Sequence, residues 1–321
     1  MTTDLLLLLL GLTVLLGGGD ALVRGATALA RRLGISPLVV GLTVVAFGTS
    51  APELAVNVTA ALRGSTAISF GNVIGSNLAN IGLIIGLAGL LRPLDVQAVV
   101  VRRELPMMLL ATAVAFVFAL DSVLGGDASS RYERGDGIVL LLLLAVFLYY
   151  TAGDVLRERV GRRGAAGLAA GDWSVPVSLL VAAAGLVALV GGAHLTVKGA
   201  VGIARAAGIS EAVIGLTVVA IGTSLPELAA SLVAAWRGQA EIALGNVIGS
   251  NLFNLTVVLG ATAMIRPIPV PAGGVVDLTM LSALSILLWW VCATQDRRII
   301  RAEGAVLLTA YLSYVSVRAL L

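Results

Sequence analysis

Apolar runs separated by short polar breaks recur ten times along the chain, at about 4–32, 37–62, 67–91, 104–120, 137–156, 174–205, 211–236, 241–265, 273–294 and 303–320. They hold few or no charges and have the length needed to cross a hydrocarbon core of roughly 30 Å. The pattern predicts an all-α polytopic membrane protein of ten transmembrane helices. Composition agrees, with 59% hydrophobic and only 12% charged residues, against about 25% charged in a water-soluble domain. In such a chain a net charge of +3 reports orientation rather than affinity for nucleic acid. The single Cys292 excludes a disulfide or a thiolate metal cluster within the monomer. Ahead of the first run stand Asp4 and no Lys or Arg, so that run reads as a helix and not as a cleaved signal.

Shifted by 174 residues, the chain aligns with itself. Residues 34–93 and 208–267 share 34 of 60 positions without a gap, and Gly17-Gly18 falls on Gly191-Gly192. Each half holds five spans. An odd count makes the second half enter the membrane from the opposite side, so the expected architecture is two inverted five-helix repeats, a plan common among secondary transporters. The boundaries expected are 1–156 for the first repeat (its most similar part at 34–93) and 174–321 for the second (208–267). A charged, Gly/Ala-rich linker at 157–173 joins them. With the N-terminus outside, thirteen arginines fall on inward loops and six on outward ones. That places both termini outside and the linker in the cytoplasm, in a cell (inner or plasma) membrane.

Within the repeats, "GTSAPEL" at 48–54 and "GTSLPEL" at 222–228 set a proline and a glutamate inside apolar runs. Ala46, Thr49, Ser50 and Glu53 are spaced i, i+3, i+4, i+7, one stripe of a helix; Ala220, Thr223, Ser224 and Glu227 repeat it. The next span adds Ser76 and Asn80, and its mate Ser250 and Asn254. Pro52 and Pro226 strip the carbonyls of Gly48 and Gly222 of their helical donors, and such carbonyls are tolerated at membrane depth only where they line a cavity or bind an ion. Oxygen-only ligand sets suit hard cations such as Na⁺ and Ca²⁺. Small and polar residues also pack membrane helices, which accounts equally well for the hydroxyls alone. Glu53 and Glu227 tip the balance, because a mid-span charge costs at least ~2.5–3.5 kcal/mol and marks function.

These doubled motifs, with "GNVIGSN" at 71–77 and 245–251, resemble the α-repeats of the sodium/calcium exchanger family of cation/Ca²⁺ antiporters. The resemblance implies Na⁺-driven Ca²⁺ exchange by alternating access, with spans 1 and 6 moving against the rest. It implies ion ligands from Thr49, Ser50, Glu53, Ser76 and Asn80, and from Thr223, Ser224, Glu227, Ser250 and Asn254, with the carbonyls of Ala46 and Ala220. Some members carry an aspartate where this chain has Asn254, which leaves two site carboxylates here and argues against potassium co-transport. An H⁺-coupled Ca²⁺ antiporter using the same carboxylates is the alternative. A channel lacks support in the inverted repeats, and an enzyme lacks a nucleophile–base pair beyond Ser and Glu. The expected partners are the two ions and the bilayer, with no cofactor, nucleic acid or obligatory protein partner.

Other polar positions carry plainer expectations. Asp20 and Arg24 have the i, i+4 spacing of an ion pair. His194, the only histidine, reads as structural or cytoplasm-facing. Glu104 and Asp277 lie near the starts of spans 4 and 9, where snorkelling or capping accounts for them. The glycine runs at 17–19 and 191–192 suit either sliding or close packing, and the mixed-charge loop 121–136 reads as solvated surface.

Overall fold

The structure, a computed structural model, describes residues 1–121, 130–163, 173–208, 220–294 and 296–320. The linker residues 164–172, most of the mixed-charge loop and the 209–219 part of the second repeat lie outside the described residues.

Helix α1 is Thr2–Leu33. Helix α2 runs as Pro37–Thr49 and Ala51–Leu62, bent by 42° at the break. Helix α3 is Ala67–Leu91, α4 is Val100–Glu104 continuing as Leu105–Phe118, and α5 is Arg134–Arg163. The second half follows with α6 at Val175–Ala206 and α7 at Ala220–Thr223 and Leu225–Trp236. Then come α8 at Ala240–Ile265, α9 at Gly274–Ala293 and α10 at Arg301–Leu320. Every predicted span is thus met by helix among the described residues. Six of these helices are long and apolar enough to cross a membrane unaided, and α2 is a seventh if its bent segments count as one. The shortfall has local causes. Arg102, Arg103 and Glu104 open α4, only the C-terminal part of α7 is described, and Arg301, Glu303 and Arg318 punctuate α10.

The helices pair about a pseudo-twofold relation. Helix α1 lies along α6, α3 against α10 and α8 against α5, while α4 packs on α9. The α1/α6 pair is antiparallel, since Gly11 meets Thr196, Gly18 meets Leu189 and Gly25 meets Ala182. Six glycines at seven-residue spacing, 11, 18 and 25 on α1 and 185, 192 and 199 on α6, form the seam. A Cβ on Gly18 would stand 2.6 Å from the Leu189 nitrogen, and one on Gly25 2.6 Å from the Ala182 nitrogen. Small residues at such a seam let backbones touch, gaining dispersion contacts where lipid offers no hydrophobic drive. The neighbouring Gly17 and Gly191 are exposed with nothing nearby, so each glycine run holds one packing face and one open face.

Burial sorts the helices into a centre and a periphery. In the apolar window of α8, 94% of residues are buried, against 28% in α6. Gly245 and Gly249 of α8 sit on the backbone of α2 at Leu38 and Leu42, which brings the two repeats into contact at their cores. At each membrane face the repeats also exchange short strands. β1 (Leu94–Asp95), after α3, pairs antiparallel with β4 (Arg298–Ile299), before α10. β2 (Arg131–Tyr132), before α5, pairs with β3 (Ile268–Pro269), after α8. Arg92 covers the α7–α8 turn at Gly238, and Arg266 covers the α2–α3 turn at Gly64. Both glycines hold φ near +80°, at +74° and +82°, a region costly to other residues.

Three surface readings change. Tyr132, within the loop expected to be solvated, is fully buried, and its hydroxyl donates to the Ala115 carbonyl at 2.7 Å. Glu104 neither snorkels nor caps. It is 0% exposed and ion-paired with Arg103, whose guanidinium stacks 4.6 Å from the centre of the Tyr150 ring. The first turns of α4 are π-helical, and a π turn shifts side-chain bearings from those of an α-helix. Asp277 likewise makes no cap; it accepts from Tyr314 and from Arg318 (2.9 Å), tying α9 to α10. The Asp20–Arg24 pair forms as expected at 2.8 Å, and Arg237 at the end of α7 joins it.

Candidate functional site

The breaks in α2 and α7 fall at Ser50 and Ser224, two residues ahead of each proline. Ser50 has φ −86° and ψ 3°, Ser224 φ −90° and ψ 4°. Each proline then occupies the first turn of the following segment, where its missing N–H costs nothing. The glycines of the motif keep ordinary helical geometry and serve contact instead. A Cβ on Gly48 would strike Leu186 of α6, and one on Gly222 would strike Val197. So the broken helices lie directly against the α1/α6 pair.

Around these breaks the predicted residues converge. Ala46, Thr49, Ser50 and Asn80 are 0% exposed, Glu53 and Glu227 1%, Ser250 0% and Asn254 1%. Ser76 and Ser224 are also buried, and Thr223 is half-buried. Ala220 opens the first segment of α7. Hydrogen bonds cross between the repeats. The Ser50 hydroxyl donates to Glu227 Oε1 at 2.8 Å, Ser224 to the Ser76 hydroxyl at 3.2 Å, and Thr49 to Asn246 Oδ1 at 3.1 Å. Thr49 also reaches the Ala46 carbonyl at 3.3 Å.

The remaining oxygens are unanswered. Among the described residues both oxygens of Glu53, Oε2 of Glu227, Oδ1 of Asn80, the Ser250 hydroxyl and the whole Asn254 amide have no hydrogen-bond partner. More than nine in ten buried polar groups are normally paired, and burying an uncompensated carboxylate is far costlier than burying a neutral group. A cluster of orphaned acceptors carrying two carboxylates is an arrangement that a cation completes.

Four asparagines and a serine that the sequence reading passed over hold this cluster in place. Asn57 donates to the Glu53 carbonyl at 2.7 Å and to Asn72 Oδ1 at 2.8 Å, and Asn72 donates to the Thr223 hydroxyl at 3.4 Å. In the other repeat Asn246 donates to the Glu227 carbonyl at 3.4 Å and to Ser231 at 2.9 Å. Asn251 accepts from Asn80 at 3.0 Å. The overlooked signal was their duplication, since Asn72 falls on Asn246 and Asn57 on Ser231 under the 174-residue shift. The predicted ligands Asn80 and Asn254 also each start a π-helical stretch, Asn80–Ile85 and Asn254–Val258. Such bulges cluster at functional sites.

Comparison with known proteins identifies the family. The profile of the sodium/calcium exchanger protein family matches residues 3–153 and 177–320. The sodium/calcium exchanger MaX1 of Methanosarcina acetivorans is 34% identical over 99% of both chains. Inner membrane protein YrbG of Escherichia coli is 36% identical over 97% of this chain and 95% of its own. Among solved structures, the sodium-calcium exchanger NCX_Mj soaked with Na⁺ and Ca²⁺ superposes with a TM-score of 0.83 at 35% identity, covering 98% of each chain.

Proposed function

Because the chain belongs to the sodium/calcium exchanger family, we propose that it exchanges Na⁺ for Ca²⁺ by alternating access. Thr49, Ser50, Glu53, Ser76 and Asn80 supply ion ligands from the first repeat. Thr223, Ser224, Glu227, Ser250 and Asn254 supply them from the second, with the carbonyls of Ala46 and Ala220. The observation that carries this reading is the set of buried acceptors without donors around Glu53 and Glu227. Hydroxyl, amide and carboxylate oxygens are the ligands that Na⁺ and Ca²⁺ take. One Ca²⁺ or two Na⁺ neutralise the two carboxylates, so each load discharges the site in turn. The glycine seam makes α1 and α6 the pair that moves as a unit across the broken helices. The relative NCX_Mj gives structures soaked with Na⁺, Ca²⁺ and Sr²⁺, which supports a divalent ion as the counter-substrate.

The division into repeats at 1–156 and 174–321, joined by a cytoplasmic 157–173 linker, and the placement of both termini outside belong to the same reading. So does a cell-membrane location, which the name of the inner membrane relative supports. No enzymatic step or cofactor enters the proposal.

H⁺-coupled Ca²⁺ antiport is the second reading. It is favoured by Glu53, whose carboxyl accepts no side-chain hydrogen bond among the described residues and can be discharged by a proton as well as by a metal. Ca²⁺ uptake into Na⁺-loaded proteoliposomes diluted into Na⁺-free buffer separates the two. Uptake that requires the Na⁺ gradient and is lost in Glu53→Gln supports the exchanger. Uptake that ignores Na⁺ and follows an imposed pH gradient transfers the site to proton coupling.

A further inference from the structure

We propose that the cavity between α1 and the α7–α8 turn is a binding site for a phosphate-bearing anion, and specifically for the headgroup of an anionic phospholipid. The cavity has a volume of about 450 Å³ and is lined by Arg24, Thr27 and Arg31 of α1, Trp173 ahead of α6, and Arg237 and Gln239 of the α7–α8 turn.

Three guanidiniums thus face one space, and among the described residues one carboxylate answers them. Asp20 pairs with both Arg24 and Arg237, so one acid is shared between two bases. Arg31 has no ion-pair partner among the described residues and is exposed. Planar guanidiniums match phosphate oxygens two at a time, and Gln239 adds an amide donor. The Arg32 Nε donates to the Trp173 carbonyl at 2.8 Å, which fixes one wall. Trp173 belongs to the residue type that settles at headgroup depth.

Position favours a lipid over a free ion. The cavity lies at helix ends on the face that the arginine distribution puts in the cytoplasm, beside the leaflet whose anionic lipids attract basic side chains at about 1 kcal/mol each. The α2–α3 turn of the first repeat borders a different cavity. About 510 Å³ in volume, it is lined chiefly by small and apolar residues such as Ala55, Val56, Ala60 and Ile68, with Arg63 the one arginine among its described lining residues.

Native mass spectrometry of the full-length protein in mild detergent, with phosphatidylglycerol or phosphatidylcholine added, tests the site. Wild type and Arg63→Ala should retain phosphatidylglycerol and not phosphatidylcholine. Arg31→Ala should lose about fivefold of the adduct, the scale of one charge-assisted contact, and phosphatidylglycerol should raise the melting temperature of wild type more than that of Arg31→Ala. Arg24→Ala should give a second, independent loss. Equal retention by wild type and both cavity variants overturns the proposal. Inorganic phosphate that binds the cavity and displaces the lipid assigns the arginines to a free anion and overturns the lipid headgroup.

Discussion

Glu53 and Glu227 occupy equivalent places in the two repeats, yet they are held differently. Glu227 accepts a 2.8 Å bond from Ser50. Ser224, the mate of Ser50, turns away to Ser76 and leaves both oxygens of Glu53 without a donor. Behind the carboxylates an asparagine holds each glutamate's carbonyl from a different place, Asn57 of α2 and Asn246 of α8, whereas the glycine seam is symmetric in all six positions. Symmetry therefore governs the α1/α6 seam and is broken around the carboxylates. A hydrogen-bonded carboxylate oxygen has one lone pair fewer for a metal, so Glu53 is the freer ligand and Glu227 the more positioned one.

Removing either charge is the strongest way to test that contrast. Glu53→Gln and Glu227→Gln should each cut Ca²⁺ flux in proteoliposomes by at least about 100-fold, since each deletes half of the charge that neutralises the ion. Residual exchange near the wild-type rate in either variant would remove that glutamate from the site. Next comes the scaffold. Gly18→Ala and Gly192→Ala place a methyl group against backbone and should destabilise the protein equally, by about 1–3 kcal/mol. Their melting temperatures in detergent, compared with those of Gly17→Ala and Gly191→Ala, read this out. The exposed pair should shift little.

The serines sharpen the asymmetry itself. Ser50→Ala should raise the Ca²⁺ concentration for half-maximal uptake about tenfold, the effect of losing one bond to a charged acceptor. Ser224→Ala, which breaks a neutral hydroxyl pair, should raise it about threefold or less. Equal effects would mean that the serines act as ion ligands alone. Smallest of all, Asn246→Ala and Asn72→Ala should each weaken uptake about twofold or less, by loosening a neighbouring hydroxyl and carbonyl rather than by removing a charge.

Much of this was legible in the chain before its coordinates. A mid-span glutamate beside a proline, found twice at one interval, has few explanations other than a buried site; of the twelve residues it pointed to, eight lie on the broken helices α2 and α7 and four on α3 and α8. Asn57, Asn72, Asn246 and Asn251 were missed because a mid-span amide reads equally well as helix packing; only its partner across the repeat reveals a brace. Glu104 was misread for a different reason. Its place near a span boundary suggested water, but a π-helical turn and Arg103 carry it into the interior. Periodicity arguments assume 3.6 residues per turn and fail where the helix widens.

The exchanged strands bear on how the protein is made. Leu94 finds its partner at Ile299, about two hundred residues further along the chain. At translation rates of roughly 5–20 residues per second, the first repeat waits on the order of 10–40 s, already threaded into the lipid, before β4 leaves the ribosome. During that interval its backbone edge is unpaired, and the face of α2 that will receive Gly245 and Gly249 is uncovered. Neither half can mature ahead of the other. Insertion and folding are separate events in this protein, and the last is completed only when its final helix arrives.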